Sequence, residues 1–178
     1  MATMEETQAF ENRILERLNA RQTVQGFLHA AVGLLAEAVD LLILQAFRKD
    51  DYAVKYAVEP LLEGSGPLAA LPVRLKLIYA LGVISRDEYE DSELLLALHN
   101  EVSHGEHDYQ FTDDEILGPL SLLHGVALPP APTLHLPEDV VDDALVDMQK
   151  QRYQQMVRST LVLCITDLVS RLCHKKAF

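Results

Sequence analysis

The sequence predicts an all-α protein, a bundle of about six or seven helices with a long C-terminal helix after a proline-rich loop. Three observations carry this. Apolar residues recur at three- and four-residue spacing along most of the chain. No strand-length run alternates apolar and polar residues. Leucine and alanine dominate, while glycine and proline number eight each in 178 residues, so helix formers are many and breakers few. A hydrophobic share of 49% supplies a core, and a chain of this length buries roughly 70% of its unfolded surface. A single domain over residues 1–178 is expected.

Each helix has its own signal. Glu5 to Asn19 places Phe10, Ile14, Leu15 and Leu18 at helical spacing. Thr23 can cap a second helix to about Phe47, with Phe27, Leu28, Val32, Leu35, Val39, Leu42 and Ile43 on a wide, central face. Glu37 and Asp40 interrupt that stretch, so it reads as a buried helix rather than a membrane span. Asp50 and Asp51 begin a third helix, and residues 63–67 (Glu-Gly-Ser-Gly-Pro) are a turn. Pro72 suits the start of a fourth helix that Gly82 ends. Ser85 and Glu88 have capping-box spacing for a fifth helix, and Thr112 and Glu115 repeat it for a short sixth. Pro129, Pro130, Pro132 and Pro137 make residues 126–137 an extended linker. The last helix then runs from 138 to 174, with acids at its start and Arg171, Lys175 and Lys176 at its end, matching the helix dipole.

Charge along the chain is blocked. The 63 residues from Asp87 to Gln149 contain sixteen acids and no lysine or arginine. Residues 1–86 are nearly balanced, and residues 150–178 carry one acid and six bases. A surface built from the middle block repels phosphate and attracts a basic partner. Its two densest clusters are the candidate partner-binding surface: Glu88, Glu90, Asp91 and Glu93, then Asp113, Asp114 and Glu115.

Direct DNA readout fits poorly. Residues 75–96 resemble a helix-turn-helix in outline, but the second helix opens with Arg86, Asp87, Glu88, Glu90 and Asp91. One arginine against four acids opposes a duplex that carries one negative charge per roughly 1.7 Å. The candidate phosphate contacts are Arg152, Arg158, Arg171, Lys175 and Lys176 on the C-terminal helix, joined by Arg13, Arg17 and Arg21.

Catalytic and metal signals are weak. His99, Glu101, His104, Glu106, His107 and Asp108 form the densest titratable cluster, but Gly105 breaks it and its spacing matches no strong metal pattern. It reads as a solvated helix end, and no metal or cofactor is expected. Gly64-Ser65-Gly66 lacks the lysine and the strand of a phosphate loop. Cys164 and Cys173 stand nine apart, on opposite faces of one helix, and read as reduced thiols of a cytosolic protein. The start of the chain, Met1 to Arg17, is charged and amphipathic, so no secretory leader is expected.

Four stretches carry a resemblance. They are residues 48–62 (Arg-Lys-Asp-Asp-Tyr-Ala-Val-Lys-Tyr-Ala-Val-Glu-Pro-Leu-Leu), residues 74–82 (Arg-Leu-Lys-Leu-Ile-Tyr-Ala-Leu-Gly), residues 111–119 (Phe-Thr-Asp-Asp-Glu-Ile-Leu-Gly-Pro) and residues 151–155 (Gln-Arg-Tyr-Gln-Gln). In these the chain resembles the MtlR family of mannitol operon repressors of enteric bacteria, from about Met4 to Phe178. Residues 101–109 and 126–137 look less typical of it. The resemblance implies an all-helical, cytoplasmic transcriptional repressor of mannitol uptake and oxidation, with no catalysis and no cofactor. It supplies no recognition helix, so DNA contact is expected to be indirect, with direct contact through the C-terminal bases the alternative. It points to the sugar phosphotransferase system, and within it to the phosphocarrier HPr as partner. An acidic face favours the unphosphorylated carrier, because a phosphoryl group adds roughly one to two negative charges. An adaptor of that system acting only indirectly on transcription is the other reading.

Overall fold

Helix α2 (Val24–Ala46) is the element the bundle is assembled around: α1 (Met4–Asn19), α4 (Leu71–Ala80), α5 (Arg86–His104) and α7 (Asp143–Cys173) all pack on it. The computed structural model describes residues 3–47, 52–131 and 143–176, and among these all regular structure is helical. Two shorter helices, α3 (Tyr52–Leu62) and α6 (Asp114–Leu120), complete the set. Thr23 caps α2 by accepting the Gly26 N–H, and Phe27, Leu28, Leu35, Leu42 and Ile43 are then almost wholly buried.

α2 is the one described helix long and apolar enough to cross a membrane, yet half of its apolar window is buried against its neighbours. Its two acids are matched from outside. Glu37 receives both hydrogen bonds of a bidentate pair from Arg17 Nη1, at 2.9 and 2.8 Å. Asp40 pairs with Arg74 Nη1. Arg74 also donates from Nε to the Leu68 carbonyl and from Nη2 to the Leu62 carbonyl, each at 2.6 Å. One guanidinium thus joins α2, the end of α3 and the following loop to α4.

Gly82 ends α4 as its sequence predicts. It takes φ +73°, the Val83 N–H reaches the Ile78 carbonyl at 2.9 Å, and the Gly82 N–H reaches the Tyr79 carbonyl at 3.0 Å. These are the two bonds of a Schellman turn, which glycine enters without strain. The short sixth helix differs from expectation. Its N-cap is Asp113 rather than Thr112, and it makes no side-chain cap, because Asp113 Oδ2 turns back to accept the Gln110 N–H at 2.8 Å.

The last helix is described from Asp143 to Cys173, so its expected start at 138 lies outside the described residues, as do Asp50 and Asp51. Its buried residues begin only at Val157 and include Leu161, Ile165, Leu168 and Leu172. The proline segment is described to residue 131. Its first part rests on the bundle: Leu128 is half-buried, and Tyr153 Oη of α7 donates to the Pro129 carbonyl at 3.1 Å.

Candidate functional site

α5 begins at a reciprocal cap. Ser85 Oγ accepts the Glu88 N–H at 3.2 Å, and Glu88 Oε1 accepts the Ser85 N–H at 2.9 Å. The same bonds draw Glu88 inward, where Lys175 Nζ meets its Oε1 at 2.8 Å and the residue is 2% exposed. Burial opposes its charge, but the Lys175 and Ser85 hydrogen bonds outweigh that and hold the carboxyl below its ordinary range. Asp91, one turn on, is 3% exposed. Its Oδ1 accepts the His124 backbone N–H at 2.9 Å and faces His124 Nδ1 at 2.8 Å.

Glu88 and Asp91 therefore do not belong to a partner-facing surface, contrary to the sequence expectation. The reason is helical phase. They lie on the same stripe as Leu95, Leu98 and Val102, the face that α5 turns to the core. The signal was available, since Glu88 and Asp91 precede Leu95 by two turns and one turn.

The outward acids are others. Glu90 is half-exposed and accepts from Arg86 Nε at 2.7 Å. Asp87, absent from the expected surface, is more exposed still. Glu93 accepts the Tyr89 hydroxyl at 2.6 Å, and this bond is the main reason the Tyr89 pKa is pushed up to about 12. Tyr89 in turn stacks on Tyr79 with ring centroids 4.4 Å apart. α6 packs against α5, with Asp114 and Glu115 exposed at its start and Asp113 half-buried beside them. The two clusters thus occupy neighbouring elements.

The candidate phosphate contacts divide in the same way. Arg158 is turned inward, and its Nη2 donates to the carbonyls of Leu18, Asn19 and Arg21 at 3.4, 3.0 and 2.5 Å, closing the C-terminal end of α1. Lys175 is committed to Glu88. Arg171 pairs with Asp167 one turn before it, at 3.0 Å. Arg152 and Lys176 are exposed. A basic stripe of five thus loses two members to the fold and has a third neutralised.

Among the described residues, the histidine cluster does not assemble into a three-ligand set. His99 lies beside His29, with ring centroids 5.6 Å apart, and its pKa is lowered, first by burial and then by that neighbour. His104 Nδ1 sits 2.6 Å from the Asn100 carbonyl, and the His107 ring meets Tyr109 edge-on. Cys164 and Cys173 are free and half-buried, and burial raises both thiols, that of Cys173 to about 11. Such thiols are poor nucleophiles at neutral pH. A groove of about 620 Å³ runs between the start of α5, the loop at His124 and α7, lined by Asp87, His124, Thr160, Leu163, Cys164 and Arg171 among others.

Comparison with known proteins adds the following. The family described as mannitol repressor, MtlR, matches residues 10–173. The mannitol operon repressor of Escherichia coli (strain K12) is 65% identical over 178 residues, covering 99% of this chain and 89% of the relative. The X-ray structure of the MtlR–HPr complex from Escherichia coli contains a chain 64% identical, with a TM-score of 0.87, covering 93% of this chain and 99% of that one. At greater distance, fumarase E of Escherichia coli (strain K12) is 27% identical over 171 residues, covering 91% of this chain and 96% of that protein.

Proposed function

Because this chain belongs to the mannitol repressor family, MtlR, we propose that it represses mannitol utilisation genes and does so through a protein partner, the phosphocarrier HPr in its unphosphorylated form. The observation that carries this reading is the closely similar chain solved in complex with HPr. The electrostatics support it. Glu90, Glu93, Asp114 and Glu115 face outward from two packed helices with a single arginine, Arg86, paired among them. A face of this kind draws a basic protein surface and repels a phosphorylated one.

The same geometry counts against direct repression. The basic residues that would meet phosphate are largely spent on internal bonds, and the helix that would enter the groove opens with acids. In this reading the protein has no reaction of its own and works in the cytoplasm. The distant likeness to fumarase E gives a plain check, because turnover of fumarate or malate by the purified protein would overturn it.

Calorimetric titration with free and phosphorylated HPr tests the proposal. Free carrier should bind with an affinity that falls steeply with salt, and phosphorylated carrier at least about tenfold more weakly. Equal affinities would sink the charge mechanism, and no binding of either would sink the partner.

A further inference from the structure

The start of α5 and the loop before α7 bring together Asp87 and His124, which the repressor reading does not use, and Glu90, whose second carboxylate oxygen turns toward them. Asp87 and Glu90, one turn apart, both face His124. His124 Nε2 lies 3.5 Å from Asp87 Oδ1 and 3.6 Å from Glu90 Oε2. These separations are longer than a good N–H···O bond, which spans about 2.7–3.2 Å. They are close to what two ligands of one ion show: bonds of about 2.0–2.2 Å at a tetrahedral angle place N and O about 3.4 Å apart. All three ligand atoms fall within 4.8 Å of one another, and among the described residues they are the one such group.

The surroundings orient each ligand. Asp91 Oδ1 accepts the His124 backbone N–H and faces Nδ1 at 2.8 Å. A carboxylate can only accept, so Nδ1 carries the proton and Nε2 is the nitrogen presented to Asp87 and Glu90. A buried carboxylate behind a histidine, fixing its tautomer and raising its basicity, is the usual support of a metal-bound imidazole. Glu90 is held as well, since Arg86 Nε binds its Oε1 and leaves Oε2 for the shared position. Beyond the three ligands lies the groove along α7, which leaves room for water to complete the coordination.

We propose that Asp87, Glu90 and His124 form a binding site for a divalent transition-metal ion such as zinc, with open coordination positions toward the groove. One nitrogen and two carboxylate oxygens suit zinc, cobalt or manganese better than copper(I), which prefers sulfur. A bound ion ties the loop at His124 to the start of α5. This site does not depend on the partner reading: loss of HPr binding would leave it intact, and absence of metal would leave that reading intact.

The test uses the full-length protein after chelator treatment. Zinc is titrated by calorimetry, and cobalt by its visible absorption. The expected result is saturable binding of one ion per chain and a rise in Tm with zinc. Asp87→Asn and His124→Gln should each weaken binding at least about tenfold and abolish the rise, while His104→Gln with His107→Gln leaves both unchanged. Asp87 is exposed and its variant keeps the fold, so a destabilised His124 variant would not confuse the result. No saturable binding to the unaltered protein, or full binding retained in Asp87→Asn, overturns the proposal; the latter shows His124 to be no more than a charge partner of the acids around it.

Discussion

Two acids in the same run, Glu88 and Glu90, have opposite fates two residues apart. Glu88 points into the core and meets Lys175; Glu90 points out and meets Arg86. Glu88 has a depressed folded pKa, so its contribution is present above the unfolded carboxylate value of about 4.3 and is lost as pH falls through the folded value. Glu88→Gln should therefore flatten the fall of Tm between about pH 5 and 3, at a cost near neutrality of about 1–3 kcal/mol. An acid limb as steep as before would show that the pair contributes nothing. Arg158 makes a second case. Removing its three carbonyl contacts with Arg158→Ala should cost about 1–3 kcal/mol in denaturant unfolding and leave partner binding unchanged. A variant as stable as its parent would mean that water replaces the guanidinium without loss.

At the scale of elements, much of the fold was legible. The Ser85–Glu88 box, the Thr23 cap, Pro72 at the start of α4 and Gly82 at its end all appear where local chemistry puts them. Local signals of this kind act within a turn or two, so a single chain displays them. The side-chain roles were less legible, because they depend on partners far away in sequence. His124 is 33 residues from Asp91, and Arg158 is 137 residues from Arg21. Nothing in the run of acids marks Asp87 as facing His124 from outside and Asp91 as holding it from the core side; that follows only once the loop at His124 lies against α5. Helical phase would have separated Glu88 and Asp91 from the outward acids, and the clustering of charge masked it. The outward set remains open to test. Asp114→Lys with Glu115→Lys, which leaves the His124 site alone, should weaken HPr binding by about tenfold and flatten its salt dependence. An unchanged affinity would move the docking surface off α6.

For the whole molecule, the charge blocks along the sequence become a division of labour in the fold. The basic C-terminal helix turns much of its charge inward, to the end of α1 and to Glu88. The acidic middle keeps Asp114 and Glu115 exposed and Glu90 and Glu93 half-exposed. A surface of this kind favours a basic protein over a duplex, and this is the electrostatic basis of the proposed indirect repression. The most direct test is fluorescence anisotropy of a labelled mannitol promoter fragment titrated with the pure protein at physiological salt, beside a scrambled duplex of equal length. The account predicts no preference for the promoter, and at most weak binding to both duplexes that disappears as salt rises. Tight binding that favours the promoter and is lost on Arg152→Ala with Lys176→Ala would contradict it and make the C-terminal helix the site of repression.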